Sequence, residues 1–283
     1  MNEILEDSLM AAEEEARQLL GVVHVADMKR GGQKYVEQVQ RGSETLVMKM
    51  VFLGTSRPDA PVRAEREVDL LASLASDHVV RVESKLETVG NPPEAAAWLE
   101  EYLDGDDLSN HLGAPWDWDK TAQMAHQVAS GLAVAHEKGV VHRDLSANNV
   151  RCLTNGNYKV MDFGFARFTL RSQITMAGQP GTPGFLSPEH LQGYSGSPTP
   201  ASDVFSVGVL MYAALTGDLP IPYLGDDADY IRRLSKVEYV DLQTRRADLS
   251  AGQRALVARC MHRQPARRFL NGDRLVQALE GLS

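Results

Sequence analysis

The sequence predicts an α+β chain in two parts, a small, mainly antiparallel β part with one key helix and a larger, mainly α-helical part. Short Val-rich segments separated by KRGGQ and RGSE fill residues 21–51, which is the pattern of an antiparallel meander. After the cluster LDGDDL the apolar residues change to helical spacing. At 283 residues the chain is long enough for one large domain or for two modest ones, each with its own core.

The elements of the first part follow from local spacing. Apolar residues set among Glu and Arg predict an amphipathic helix over residues 3–20 that ends at Gly21. RAEREVDLLASLA predicts a second helix, while HVVRVESKLETV and AAAWLEEYL have the composition of strands. We therefore expect a helical extension over residues 1–20, the β part over 21–103 and the helical part over 104–283.

The second part is predicted to be helical with a small β element. VVHRDL, NVRCL and YKVMD are its candidate strands, and Asn155 and Gly156 are a strong hairpin signal between the last two. Helical spacing is found in residues 119–138, 203–215, 226–234, 250–261 and 273–282.

Composition excludes several classes of protein. Hydrophobic content of 43% and charged content of 24% are typical of a globular chain, and a net charge of -9 argues against a protein that mainly coats nucleic acid. Cys152 and Cys260 have no CxxC spacing, so we interpret them as reduced core thiols. The N-terminus lacks signal-peptide character, and the longest apolar run, VFSVGVLMYAAL, is too short for a bilayer. We expect a cytoplasmic protein with neither nucleic-acid nor membrane partners.

Three polar side chains flank the predicted hairpin. Asp144 and Asn149 lie on the loop before it, and Asp162 follows its second strand. Carboxylate and amide oxygens of this kind suit Mg²⁺, which binds a few protein ligands together with substrate phosphates. One further carboxylate can orient an attacking hydroxyl, so the pattern favours phosphoryl transfer.

At these residues the chain resembles a eukaryotic-type (Hanks-type) Ser/Thr protein kinase domain from about Gly21 onward. His142-Arg143-Asp144-Leu145 followed by Asn149 resembles the catalytic loop, and Asp162-Phe163-Gly164 resembles the metal-binding triplet. The resemblance implies a two-lobed fold with ATP in the cleft and a protein substrate. It also implies that Asp144 accepts the proton of the substrate hydroxyl, while Asn149 and Asp162 bind Mg²⁺.

The resemblance also implies a set of nucleotide-binding residues. Lys49, in VMK, corresponds to the lysine that contacts the phosphates, and Glu67, in REVDLL, to its ion-pair partner on a helix. The other implied positions are Glu101 and Leu103 beside the adenine, Asp107 near the ribose, and Gly31 and Gly32 in the phosphate-binding loop.

The activation segment and its supports are matched as well. GTPGFLSPE resembles the end of a Ser/Thr-type activation segment, in which Thr182 would contact Asp144. Glu189 would pair with Arg268, and Asp203 would begin a buried helix, all three as structural braces. Arg143 marks the subclass in which basic residues bind a phosphate on this segment, which predicts self-phosphorylation and leaves open a homodimer. The candidate acceptors are Thr169, Ser172, Thr175 and Thr182.

The chain departs from the family pattern at three places. Gly31 and Gly32 do not complete GxGxxG, so Lys29, Arg30 or Lys34 would have to help bind the phosphates. Ser146 and Asn148 stand where a cation would stabilise the transferring phosphate, which predicts slow turnover. Glu100, at the back of the adenine pocket, would be costly to bury unless it is paired or neutral.

The sequence leaves two alternatives to a protein kinase, and the first of them follows from these departures. A pseudokinase that binds a nucleotide or acts as a scaffold would explain the incomplete glycine loop and Ser146. It would not explain why Lys49, Glu67, Asp144, Asn149 and Asp162 are all present. A kinase of small molecules would explain the Asp and Asn loop but not GTPGFLSPE.

Overall fold

A computed structural model describes residues 2–31, 34–53, 60–163, 182–191 and 198–282, with the side chains of residues 2–9, 29–31, 34, 60, 63 and 67 outside the description. The chain divides into two compact units. We call them the sheet unit, whose described residues lie within 1–75 and 80–103, and the helical unit, whose described residues lie within 76–79 and 104–283.

The sheet unit is a five-stranded antiparallel sheet with two helices, in the strand order β1-β2-β3-β5-β4. Strands β1, β2 and β3 form the predicted meander, and the last two strands pair beyond β3. The elements are α1 (Asn2–Leu20), β1 (Val23–Gly31), β2 (Lys34–Arg41), β3 (Glu44–Phe52), α2 (Ala60–Ala72), β4 (Glu87–Val89) and β5 (Ala95–Glu101).

The core of the sheet unit lies on one face of the sheet. Leu46, Met48 and Met50 of β3 alternate toward this face, and α1 contributes Ala16 to the same cluster of fully or almost fully buried side chains. Lys49 lies between Met48 and Met50 in sequence, so the same alternation of side chains places it on the opposite face. The helix predicted as an extension therefore forms part of the core.

A buried carboxylate joins α1 to the sheet. Glu37 on β2 is fully buried and accepts hydrogen bonds from Arg17 of α1 at 3.1 and 3.2 Å. Nδ1 of His24 lies 2.6 Å and the hydroxyl of Tyr35 3.0 Å from the same carboxylate. Burial, together with Asp27 and Glu37, raises the pKa of Tyr35. Three side chains, Arg17, His24 and Tyr35, therefore bind this one buried carboxylate inside the sheet unit.

The helical unit contains a small antiparallel sheet, ordered β6-β7-β8, and most of the helices. Helix α3 packs against α8, α4 and β8, and α4 packs against α7. Residues 201–216 of α4 are all buried. The elements are β6 (Gly105–Asp107), α3 (Trp118–Glu137), β7 (Val150–Leu153), β8 (Tyr158–Val160), α4 (Pro200–Thr216), α5 (Asp227–Lys236), α6 (Leu242–Arg245), α7 (Ala251–Cys260) and α8 (Gly272–Glu280).

Helix boundaries follow local capping signals. Asp117 accepts a hydrogen bond from the backbone of Lys120 at the start of α3. Ser250 and Gln253 form a capping box at the start of α7. Gly217 ends α4 in the left-handed conformation, with φ of 79°. These capping residues can be identified in the sequence, so the corresponding helix ends can be predicted from it.

Two glycines permit close helix packing. A Cβ atom at Gly272 would lie 2.4 Å from the carbonyl oxygen of Ala129, so only glycine allows α8 to approach α3 at this point. A Cβ at Gly208 of α4 would lie 2.7 Å from the Cβ of Cys260 on α7. The first glycine allows α8 to pack closely on α3, and the second allows α4 to pack closely on α7.

The predicted α+β class, with an antiparallel β part and a larger helical part, is confirmed, but two strand predictions were wrong. VVHRDL is not a strand, because the backbone N–H groups of His142 and Arg143 donate to the carboxylate of Asp203. HVVRVESKLETV contributes only β4 and isolated bridges at Val79 and Val82. Strand β6 and helix α6 were not predicted.

Two predictions drawn from composition can also be compared with the structure. Cys152 and Cys260 are free thiols, and burial raises the pKa of Cys260 to about 12. Among the described residues, no helix has the length and apolar character needed to cross a membrane.

Candidate active site

Asp203 anchors the loop that carries the candidate catalytic residues. Its carboxylate, which is 1% exposed, accepts hydrogen bonds from the backbone of His142 at 2.7 Å and of Arg143 at 2.9 Å. It also accepts one from Nε2 of His136 at 2.9 Å. Burial alone would raise the pKa of Asp203, but the bond and charge of His136 outweigh it and hold the pKa below its usual value.

His142 connects the catalytic loop to the segment before Asp162. Its Nε2 lies 2.8 Å from the carbonyl oxygen of Met161, and its Nδ1 accepts from the backbone of Asp144 at 3.3 Å. The ring of Phe163 packs against it with the centroids 4.7 Å apart. One fully buried side chain therefore fixes the backbone next to both candidate carboxylates.

The carboxylate of Asp144 is held by Thr182. Its Oδ1 accepts from the backbone N–H of Thr182 at 2.8 Å and from the Thr182 hydroxyl at 2.9 Å. The contact predicted between these two residues is therefore present. Asp144 is half-buried, and Oδ2 is the oxygen that these bonds leave for another donor.

Asn149 and Asp162 provide a donor set that fits a divalent cation. The amide nitrogen of Asn149 donates to the carbonyl oxygen of Asp144 at 2.7 Å, so this bond does not use the amide oxygen. Asn149 also accepts from the backbone of Met161, so the residues before Asp162 are tied to the same loop. An amide oxygen and a carboxylate are ligands that Mg²⁺ prefers.

Arg143 adopts a left-handed backbone conformation with φ of 70°. Its carbonyl oxygen accepts from Nε2 of His190 at 3.0 Å, and the other ring nitrogen of His190 lies 2.8 Å from the Ser187 hydroxyl. Burial lowers the pKa of His190, which keeps the ring neutral. His190 is not among the residues predicted from sequence, although its spacing from Ser187 is that of a capping box.

Lys49 forms a buried ion pair with Glu100. Its Nζ lies 2.5 Å from Oε2 of Glu100, with 6% and 4% of the two side chains exposed. The condition stated for a buried Glu100, that it be paired or neutral, is met by this pair. Glu67 lies on α2, but its side chain is outside the described set, so its predicted pairing with Lys49 stays a prediction.

Two of the other implied nucleotide-binding residues, Glu101 and Asp107, have partners within their own units. Glu101, at the end of β5, accepts from the backbone of Arg81 at 2.9 Å. Leu103 is buried. Asp107 pairs with Arg151 at 2.8 Å. Gly31 ends β1, and Gly32 lies outside the described residues.

The predicted brace between Glu189 and Arg268 is present. The guanidinium donates to the two carboxylate oxygens at 2.5 and 2.9 Å, and Ser202 donates to the same carboxylate at 2.7 Å. Burial alone would raise the pKa of Glu189, but Arg268 outweighs it and holds the pKa below its usual value. This pair joins the end of the activation segment to the segment before α8.

Two predicted features are outside these networks. Ser146 is fully buried, and within the described part of the chain its hydroxyl has no hydrogen-bond partner. It supplies no cation in place of the missing lysine. Thr169, Ser172 and Thr175 lie outside the described residues.

Comparison with known proteins identifies the family. Residues 30–277 match the protein kinase domain. A serine/threonine-protein kinase of Corynebacterium efficiens is 31% identical over 225 residues, covering 78% of this chain and 42% of that protein. A probable serine/threonine-protein kinase of Streptomyces coelicolor is 32% identical over 225 residues, covering 75% and 32%. One of Lactococcus lactis is 28% identical over 211 residues, covering 72% and 32%.

The chain spans less than half the length of these relatives. The match to the family nevertheless extends through both units. The chain belongs to the protein kinase family.

Proposed function

We propose that the chain transfers the γ-phosphate of ATP to Ser or Thr hydroxyls of protein substrates, including its own. Family membership implies ATP, a divalent metal and a protein substrate. The relatives described above are named serine/threonine-protein kinases, which supports the same acceptor class here.

The arrangement around Asp144 is the observation that carries the proposal. Two hydrogen bonds from Thr182 fix one oxygen of the carboxylate, and Asp203 fixes the backbone on its N-terminal side. The second oxygen would accept the proton of the substrate hydroxyl. A base held in this way loses little entropy when the acceptor binds.

The remaining roles follow from the chemistry of the donors. Asn149 and Asp162 would hold Mg²⁺, which supplies charge neutralisation for the phosphates when it is bound. Lys49 would contact the phosphates. Glu101 and Leu103 would lie beside the adenine and Asp107 near the ribose. Gly31 and Gly32 would form part of the phosphate-binding loop.

We assign Thr182 to positioning, since its hydroxyl already donates to Asp144. Self-phosphorylation is then proposed at Thr169, Ser172 or Thr175, with Arg143 among the basic residues that bind the new phosphate. Mapping of phosphorylated residues in the active protein tests this. An active protein without phosphate on any of these three side chains would contradict it.

The experiment for the main proposal measures incorporation of labelled phosphate from Mg-ATP into the chain and into a generic Ser/Thr-rich protein. Asp144→Asn should lower incorporation by at least 10²-fold while nucleotide binding changes little. Asp119→Asn, an exposed acid at the start of α3, is the control. Equal incorporation by wild type and Asp144→Asn, or label found on tyrosine alone, would overturn the proposal. A wild type that binds ATP without transferring phosphate would also overturn it.

A further inference from the structure

Glu100 is a carboxylate in an unusual place for a charged residue. It lies on β5, between β3 and β4 in the sheet, and only 4% of its side chain is exposed. Exposure to solvent does not account for a charged side chain at this position. Its role must be found in the contacts that it makes inside the sheet unit.

Strand register brings Glu100 to Lys49. Lys49 of β3 is directly opposite Trp98 of β5, and Val47 is opposite Glu100. Because side chains alternate along a strand, Lys49, Trp98 and Glu100 share one face of the sheet. Lys49 and Glu100 are diagonal neighbours on it, which is within reach of long side chains.

Both oxygens of the Glu100 carboxylate have a donor. Oε2 is 2.5 Å from Nζ of Lys49, and Oε1 accepts from the indole N–H of Trp98 at 3.0 Å. The rigid indole fixes the plane of the carboxylate, which in turn gives the ammonium one defined partner. The two contacts therefore give the buried carboxylate the partners that a buried polar group requires.

The two charges need each other. An ammonium buried without an acid tends to lose its proton, and a carboxylate buried without a cation tends to gain one. Lys49 must stay protonated to attract phosphate. A buried acid 2.5 Å from Nζ gives an electrostatic reason for it to do so.

We propose that Glu100 is a positioning residue for Lys49, which keeps the ammonium charged and directed for phosphate binding. This inference rests on the proposed function, in which Lys49 contacts the phosphates of ATP. It adds to the family pattern a second acid for Lys49, on a strand of the sheet, besides the helix residue Glu67.

The test compares Glu100→Gln with Glu67→Gln and with the control Glu44→Gln, which alters an exposed pair with Arg41 on the same strand as Lys49. The measurements are the dissociation constant of a fluorescent ATP analogue with Mg²⁺, the KM for ATP, and kcat. We expect Glu100→Gln to raise the dissociation constant and KM about tenfold, equivalent to about 1.4 kcal/mol, with a smaller change in kcat. Glu67→Gln should raise them less, and Glu44→Gln less than twofold.

A dissociation constant for Glu100→Gln within twofold of wild type, or a larger effect of Glu67→Gln, would overturn the inference. If Glu100→Gln does not fold, Trp98→Phe serves as the second variant, because it loosens the carboxylate and leaves both charges in place. It should raise the dissociation constant about threefold, and an unchanged value overturns the inference.

The failure of the inference can be distinguished from that of the proposed function. A wild type that binds the analogue but transfers no phosphate contradicts only the proposed function, and the dissociation constants still decide the role of Glu100. A wild type that transfers phosphate, with Glu100→Gln unchanged, contradicts only the inference. A wild type that binds no nucleotide contradicts both.

Discussion

The two units each bury an ion pair, but the pairs are built differently. In the helical unit, Arg268 donates to both oxygens of Glu189 and to the carbonyl oxygens of Ala201, His262 and Arg263. In the sheet unit, the ammonium of Lys49 meets one oxygen of Glu100. The first pair uses a planar, bidentate fork that stays charged under all ordinary conditions, and the second uses a compact charge on a flexible stem.

This difference in geometry indicates a different role for each ion pair. The bonds of Arg268 to three backbone carbonyls tie together separate parts of the helical unit, so this pair is a brace. Lys49 can exchange or share partners at a lower cost, because an ammonium has rotatable donors and no fixed plane. Such a pair can hold the ammonium of Lys49 where a ligand can bind to it.

The largest expected effect is from Arg268→Ala. It removes the cation that compensates Glu189 and the donors to three carbonyl oxygens, so we expect the free energy of unfolding to fall by about 3–5 kcal/mol. Urea denaturation measures this. Arg267→Ala, an exposed neighbour, is the control and should change stability by less than about 0.5 kcal/mol. A loss below about 1 kcal/mol for Arg268→Ala would show that Glu189 does not depend on it.

Lys49→Met should lower the free energy of unfolding by about 3 kcal/mol, because Glu100 is left buried without its cation. It should also abolish phosphate transfer, because it removes the cation proposed to contact the phosphates. In the double variant Lys49→Met with Glu100→Met, stability should recover by about 2 kcal/mol while transfer stays absent. Denaturation and transfer assays on Lys49→Met, Glu100→Met and the double variant, together with wild type, form a double-mutant cycle. Additive losses in the cycle would show that the two residues do not interact.

Acid should weaken the brace in the helical unit. The pKa of Glu189 is below its usual value of 4.5, so the folded state binds fewer protons than the unfolded state near that pH. The stabilising contribution is fully present above pH 4.5 and is lost as the pH falls through the lower folded-state value. Unfolding free energies measured from pH 6 downward, in steps of about half a unit, should show the decline. In Glu189→Gln the slope should be smaller, and an identical slope would assign the decline to other acids such as Asp203.

Sequence predicted the elements of the two units better than their connections. The alternating pattern of β3 and the capping residues of the helices are local signals, and both appear in the structure. VVHRDL failed because Asp203, 60 residues further along the chain, binds the backbone N–H groups that a strand would use. The spacing of residues within VVHRDL cannot predict a contact with a residue so far along the chain.

The candidate site shows the same limit. Motifs predicted Lys49, Asp144, Asn149 and Asp162, and the position of Glu100 at the implied adenine pocket indicated that it would have to be paired or neutral if buried. They could not identify that partner, because the register between β3 and β5 depends on pairing across the sheet. The contacts of His190 also depend on the folded packing, and so does the burial of the Ser146 hydroxyl, for which the described part of the chain provides no hydrogen-bond partner.

Trp98→Phe tests how much the hydrogen bond from Trp98 to Glu100 contributes to the stability of the sheet unit. The substitution keeps an aromatic ring and removes the N–H that donates to Oε1 of Glu100. Because a buried acceptor loses its partner, we expect a loss of about 1–2 kcal/mol in the free energy of unfolding. The matched change, Trp118→Phe on α3, lies outside this network and should show the cost of ring size alone. Equal losses for the two variants would mean that the bond to Glu100 contributes nothing.

The smallest effect is expected at Ser146, where a buried polar group is without the partners that both ion pairs have. Ser146→Ala removes a hydroxyl that makes no hydrogen bond within the described residues, so stability should change by less than about 0.5 kcal/mol or rise slightly. Ser206→Ala is the matched variant, since its buried hydroxyl donates to the carbonyl oxygen of Phe185 at 2.9 Å. That variant should lose about 1 kcal/mol or more. The reverse order in urea denaturation would contradict the view that partners, rather than burial alone, determine what a buried polar group contributes to these units.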